Sequence, residues 1–328
     1  MSDRSPVMRL HLSWYRSHRR SREMGSLFGA ECVFVSEPGP LPVRYARQWL
    51  RTRRLVRERR PDVIIVMQPP VVALLCVAVH ARQATIVGDL HSGVFSDRRW
   101  RWALPLVTHV LRSRGLAIVP NAEVADACSR RRVDAAVVPA GITAAPTRAL
   151  GADREHPIVL VPLTYSFDEP IESIIEAAGL VPEARWLLTG KTPSALESAA
   201  PTNIEFTGYL DDRAYEDLRL SASVICALTT EESTMQSAGF EALASATPLV
   251  TSPTRVLRAY FENAAEYANP TPTDIARAVR SQLAAPAQWS QRMADLRTTR
   301  IDEQVDGVAA AERLIHTSQV RGRAGAGR

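Results

Sequence analysis

The residues best suited to chemistry are concentrated between Val224 and Ser252, in VICALTTEESTMQSAGFEALASATPLVTS. This stretch reads as strand, polar loop, helix and strand. Thr229, Thr230, Glu231, Glu232, Ser233 and Thr234 fill the loop and the helix start, and Glu241 lies further along the helix. A helix that opens on Ser, Thr and small residues presents unpaired N–H groups and a positive dipole end, which favour a phosphate. A carboxylate inside such a helix suits a sugar hydroxyl donor better than it suits a core. The alternative is an N-cap by Ser233 or Thr234, with the acids complementing the dipole.

Strand and helix alternate along the whole chain around this stretch. In the first half, strands are expected at 8–14, 31–36, 62–67, 84–88, 116–120 and 135–139. Helices are expected there at 20–28, 42–60, 71–81, 100–112 and 122–132. In the second half, strands are expected at 158–162, 185–189, 204–207, 223–228 and 248–252, and helices at 169–178, 212–221, 237–246, 273–285 and 288–317. Short strands separated by helices imply parallel sheets covered on both faces. The expected fold class is therefore α/β, with two facing Rossmann-like parallel-sheet domains whose strand C-termini line a cleft. The first domain is placed at 1–145, a linker rich in Ala, Thr and Pro at 146–157, and the second domain with a final helix at 158–318. The tail at 319–328 has no reason to fold.

Within this frame, Glu241-Ala242-Leu243 followed by Pro248 and Leu249-Val250 resembles the donor-site motif of retaining GT-B glycosyltransferases, family 4 (glycosyl transferases group 1). That motif carries a second glutamate eight residues earlier, where this chain has Ser233. Glu232 and Glu231 lie one and two residues further out. The resemblance covers the second domain best, and it is architectural in the first. It implies a GT-B enzyme that moves a sugar from a nucleotide-diphosphate donor to a glycan, lipid-linked or other anionic acceptor, with retention and without metal. The nucleotide-sugar is a co-substrate, and no further cofactor is expected. The leaving phosphate helps to deprotonate the acceptor, so no protein nucleophile is needed. Two other readings share the architecture: a nucleotide-sugar epimerase, and a non-catalytic nucleotide- or glycan-binding protein.

The same resemblance distributes roles. Thr234, Met235, Gln236, Ser237, Ala238 and Gly239, with Ser233, are expected to hold the donor diphosphate, and Glu241 the ribose. Tyr209 and Leu210, after the strand at 204–207, are expected beside the nucleobase. Lys191 either supplies the positive charge that the loop at 163–170 lacks, or is a solvated lysine. Glu232, or Glu231 in its place, and His91 are the expected catalytic residues. His91 can meet a sugar hydroxyl or developing charge, unless Asp89 and His91 form only a turn with a surface imidazole. Tyr15, Arg16, His18 and Arg19 follow the first strand as a bulky cationic loop, which suits an acceptor carrying phosphate or carboxylate. Asp168 and Glu169 read as cap and dipole partners of the next helix. Asp211-Asp212 reads as a helix cap, and no cluster has metal-ligand spacing.

Composition narrows the classes. The chain has 328 residues, 46% hydrophobic and 23% charged, which is globular and long enough for two domains. Its longest apolar run, 63–79, is broken by Gln68-Pro69-Pro70, so no membrane span is expected. Cys32, Cys76, Cys128 and Cys226 are widely spaced, and 1–21 has no uninterrupted apolar core. Both point to the cytoplasm. Residues 1–150 carry 24 arginines against 11 acids, a surplus of 13, whereas the remainder has 16 bases and 24 acids, a deficit of 8. Arg44, Arg47, Arg51 and Arg54 share one helix face with apolar neighbours. That face suits an anionic membrane surface or lipid-phosphate acceptor, which would place the protein peripherally at the inner membrane face. A merely solvated face is the alternative. No nucleic-acid module accompanies the charge.

Overall fold

The computed structural model describes residues 7–139, 142, 156–197, 200–232 and 234–326. Most of the expected linker therefore lies outside the described residues. The chain divides into two compact units, one of 1–141 with 302–328 and the other of 142–301.

The first unit contains β1 (Arg9–Ser13), α1 (Arg19–Leu27), β2 (Glu31–Phe34), α2 (Leu41–Arg59), β3 (Val63–Gln68), α3 (Val71–His80) and β4 (Thr85–Leu90). Short α4 (Ser92–Ser96) and α5 (Arg98–Arg101) lead to α6 (Leu104–Arg114), β5 (Gly115–Val119), α7 (Ala122–Ser129) and β6 (Ala135–Val137). Its sheet runs β2-β1-β3-β4-β5-β6, with every neighbouring pair parallel. The period of two in β3 sorts the core. Ile64 and Val66 pack with Leu74 and Val77 of α3 and Leu111 of α6, whereas Val63 and Ile65 pack with Met24 of α1. The expected helix at 100–112 corresponds to the end of α5 and to α6, with a break at 102–103, and α4 was not expected.

The second unit contains β7 (Ile158–Val161), α8 (Ile171–Leu180), β8 (Arg185–Thr189), α9 (Ser194–Glu197), β9 (Ile204–Gly208), α10 (Asp212–Ser221) and β10 (Val224–Ala227). These are followed by α11 (Ser237–Ser245), β11 (Leu249–Thr251), α12 (Arg255–Phe261), β12 (Glu266–Tyr267), α13 (Pro272–Ala284) and α14 (Pro286–Ala326). The parallel sheet runs β12-β11-β10-β7-β8-β9. Val159, Trp186 and Val224 meet α8 and α13 on one face, and Leu160, Ile225 and Leu249 meet α11, α12 and α14 on the other. Helix α12 and strand β12 are absent from the sequence expectations. Both are short, with too few residues to show a period.

Helix α14 corrects the expected tail. It continues to Ala326 instead of ending near 317, as Arg and Ala extend a helix already nucleated by packing. Its first half packs in the second unit through Met293 and Leu296. Its second half packs on the first-unit sheet through Ala311 and Ile315. Gly307 permits that approach, because a Cβ there would stand 2.1 Å from the Val137 carbonyl oxygen. Among the described residues no helix is long and apolar enough to cross a membrane.

Strand order reverses between β1 and β3 in the first unit and between β7 and β10 in the second. Loops leaving a parallel sheet at such a reversal diverge and leave space beyond the strand C-termini. Both candidate sites lie at these two points.

Candidate active-site regions

In the second unit, the loops after β7 and β10 are tied across the reversal by Asp168. Its carboxylate accepts from Thr229 Oγ1 at 2.9 Å, and its carbonyl accepts from the Thr230 amide at 2.7 Å. Glu169 turns back over its own loop, accepting from the amides of Thr164 (3.1 Å) and Ser166 (2.9 Å). These two acids do not cap α8 as expected. The helix N-cap is Pro170 without a side-chain bond, and the loop amides take the carboxylates instead. Gly190, at φ +95, completes the bend after β8, where a Cβ would stand 2.2 Å from the Leu163 carbonyl oxygen.

These loops enclose a cavity of about 500 Å³. Of the expected donor residues, Tyr209, Leu210, Thr234, Met235, Gln236, Ser237, Ala238 and Glu241 line it. Helix α11 opens there without a side-chain cap, because Gln236 Nε2 donates instead to the Leu228 carbonyl at 2.7 Å. Its first turn is thus left to an anion at Ser237 and Ala238, while the Gly239 amide donates to the Gln236 carbonyl at 3.1 Å. Glu241 accepts from the Tyr215 phenol at 2.5 Å. The same turn is anchored by the buried Arg219, which donates to the Glu241 carbonyl at 3.0 Å. Tyr209 is 87% exposed, leaving its ring face open to a planar ligand. Asp211 caps α10 by accepting from the Ala214 amide at 2.8 Å.

Three expectations depart from this cavity and one falls outside the described residues. Glu232 does not line it; the carboxylate accepts from the Arg255 amide at 2.6 Å, bracing the start of α12. Gly239 faces away, since a Cβ there would stand 2.8 Å from the Phe261 ring. Its absent side chain lets α11 approach α12. Lys191 is exposed beside the cavity-lining Gly190 and is not itself a lining residue. Ser233 lies outside the described residues. Among the described lining residues there are four acids (Asp168, Glu169, Asp212 and Glu241) and no Arg or Lys. Phe167, 91% exposed in the β7–α8 loop, is a second open aromatic that sequence reasoning passed over.

In the first unit, Tyr15 and His18 meet after β1, with ring centroids 5.4 Å apart and stacked. His18 caps α1 through Nδ1, accepting from the Ser21 amide at 3.3 Å, and its ring meets the His91 edge at 6.2 Å. Arg16 is exposed, and Arg19 pairs with Glu23 at 2.7 Å. His91 follows β4 at the start of α4, with 27% of its side chain exposed. Burial pushes its imidazole down to about 4, Asp89 opposing and Arg20 and His18 reinforcing. His91 is therefore neutral at pH 7, suited to hydrogen bonding a hydroxyl rather than to carrying charge.

Beneath these residues lies a pair that the sequence did not announce. Asp89 is fully buried within β4, where it was expected in a loop. It accepts from Arg20 Nε at 3.0 Å, while Arg20 also donates to the Val138 carbonyl. Burial, the largest single influence, would raise the Asp89 carboxyl, but Arg20 together with His11 and His91 outweighs it and holds the group well below the usual carboxylate range. The available signal was an acid near the end of an otherwise apolar strand, although 69 residues separate it from its partner.

With this geometry in place, the comparisons are informative. Residues 164–285 match glycosyl transferases group 1. The matched segment carries the cavity, α11 and Glu241. HepE of Anabaena, solved with UDP and glucose, is 12% identical with a TM-score of 0.66, over 94% of this chain and 90% of that one. Sucrose-phosphate synthase of Thermosynechococcus elongatus is 15% identical with a TM-score of 0.66, over 98% and 100%. A putative UDP-N-acetylglucosamine 2-epimerase from Listeria monocytogenes is 10% identical with a TM-score of 0.64, over 88% and 90%. No curated protein matches the chain. At these identities the likeness shows the fold, which is the two-domain, Rossmann-like GT-B architecture expected from the sequence.

Proposed function

We propose that this chain is a retaining, metal-independent glycosyltransferase of the family 4 type, moving a sugar from a nucleotide-diphosphate donor to a glycan, lipid-linked or other anionic acceptor. One observation carries the reading: within the segment that matches glycosyl transferases group 1, an uncapped helix start and Glu241 line one cavity. The α11 amides would hold the diphosphate, Glu241 the ribose, and Tyr209 and Leu210 the base. His91, neutral at pH 7, would orient a hydroxyl. Arg16, with the arginine surplus of 1–150, favours an anionic acceptor or membrane surface at the cytoplasmic side. HepE, which shares this fold, has been solved with UDP-glucose.

Calorimetry with UDP, GDP, ADP, TDP and CMP, with and without magnesium, tests the reading. Saturable binding of one diphosphate, unchanged by magnesium, is the expected result. A second reading, a non-catalytic GT-B protein, is favoured by the lack of Arg and Lys among the described lining residues. Failure of all five nucleotides to bind would select it. A bound nucleotide-sugar that changes configuration without any acceptor would instead select an epimerase.

A further inference from the structure

Helices α2, α3 and α6 cover one face of the first-unit sheet, with Val56, Leu74 and Leu111 in a common core. Helix α3 packs against both neighbours, which places α2 and α6 about 16–20 Å apart on either side of it. Each helix follows a parallel strand and therefore starts at the strand C-terminal edge, where Tyr15 and His91 also lie. Apolar side chains are left in solvent along this edge. Trp102 (65% exposed) precedes α6 and Leu106 (51%) lies in its first turn, while Leu41 and Val43 are exposed at the start of α2. The backbone at 102–103 stays right-handed helical, so Trp102 and Leu106, four residues apart, share one side.

The surroundings are basic. From Arg98 to Ala122 the chain has five arginines and no acid. Arg98 and Arg101 are exposed, and neither has a carboxylate partner among the described residues. The preceding acid, Asp97, is already taken by Arg99 at 3.0 Å. The arginine stripe of α2 is less available, because Arg51 pairs with Glu37 at 3.0 Å and Arg54 with Glu58 at 2.7 Å. Exposed apolar side chains beside unpaired arginines fit a layer that is apolar inside and anionic at its surface, which is a bilayer with acidic headgroups. Tryptophan suits the headgroup level, because its indole joins an apolar body to an N–H donor. A second copy of the chain fits less well. Pairing this face with itself would set Arg98 and Arg101 against like charges, with no acid to offset them.

We propose that this edge of the first unit docks on an anionic membrane. Trp102, Leu106, Leu41 and Val43 enter the boundary between headgroups and acyl chains, and Arg98 and Arg101 meet lipid phosphates. A protein docked in this way holds Tyr15 and His91 at the membrane surface. On the transferase reading, that selects the lipid-linked class among the three acceptor classes. The acceptor class rests on that reading, whereas the docking surface does not.

The test is co-sedimentation of the full chain with phosphatidylglycerol vesicles and with phosphatidylcholine vesicles, at fixed ionic strength. Binding to the first and little binding to the second is expected. Trp102→Ser with Leu106→Ser, and separately Arg98→Gln with Arg101→Gln, should each weaken binding about tenfold. Arg57→Gln with Arg60→Gln removes the same charge at the far end of α2. It should change binding by less than about twofold, since salt screens charges farther than about 8 Å from the docked edge. The substituted residues are all exposed, so each variant should keep the native unfolding transition, which is measured alongside. Equal losses from the two arginine pairs would show diffuse attraction and overturn the surface. Unchanged binding by Trp102→Ser with Leu106→Ser, or no vesicle binding by the native chain, would overturn it too. Self-association that this pair abolishes, without vesicle binding, would assign the face to a second copy. Nucleotide calorimetry on the same samples separates the two readings. Vesicle binding without nucleotide binding would keep the surface and remove the acceptor class, and the reverse result would remove the surface and leave the donor reading standing.

Discussion

Replacing Arg20 with alanine is expected to destabilise the first unit by about 3–5 kcal/mol, the cost of stranding a buried charge. Asp89 has no solvent exposure, and Arg20 Nε stands 3.0 Å from its carboxylate. His11 and His91 lie 3.9 and 3.8 Å away, too far to take over that bond without movement. Thermal unfolding should fall by roughly 2–4 °C for each kcal/mol lost. The double change Arg20→Met with Asp89→Leu removes both charges and is expected to recover most of the loss. The sign with pH is also set. Asp89 is held below its unfolded value of about 3.9, so its contribution is present above that value and lost as pH falls through the folded one. In the Arg20→Ala variant burial is opposed only by His11 and His91 and raises the carboxyl relative to the native protein, so the penalty is relieved by acid. The gap between native and variant stability should therefore narrow below about pH 4. A neutral-pH loss under about 1 kcal/mol would show that water or a histidine already compensates Asp89.

Glu241→Ala should weaken nucleoside diphosphate binding strongly. A hydrogen bond to a charged group contributes about 1.5–3 kcal/mol, or roughly 10- to 150-fold in affinity. Tyr215→Phe provides the comparison. It removes the phenol bonded to Glu241 at 2.5 Å but keeps the carboxylate in the cavity, so a smaller loss is expected. Calorimetry on both variants, with unfolding curves as a control, separates loss of the ligand contact from loss of the helix. Undiminished affinity in a folded Glu241→Ala protein would move the nucleotide site away from α11.

Much of this architecture was legible in the chain. Buried strands such as VIIVMQ, bounded by proline, and helices with plain stops set the parallel sheets before any geometry was known. The α11 segment was legible because its chemistry is local: small residues at a helix start and one acid further along. What failed were the long-range pairings. Asp168 and Glu169 looked like helix caps, but competing loop amides and a hydroxyl 61 residues away took their carboxylates. The bond from the Arg255 amide to Glu232, 23 residues apart, likewise left no mark in the sequence. The Arg20–Asp89 pair could not be seen at all, since an arginine among many arginines carries no sign of which one is buried.

Helix α14 has a consequence for how the protein is made. Residues near its C-terminal end, Ala311 and Ile315, cover the sheet face formed by Val63, Ile65, Val87 and Ile118. A ribosome therefore releases every strand of the first unit long before the segment that shields one of their faces. During that interval the part of this face that α1 does not cover stays open to chaperones or to other nascent chains, while all of 142–301 is synthesised. The unit whose strands precede 142–301 is thus finished only after it, and premature termination would cost the first unit its cover while sparing the sequence of its sheet.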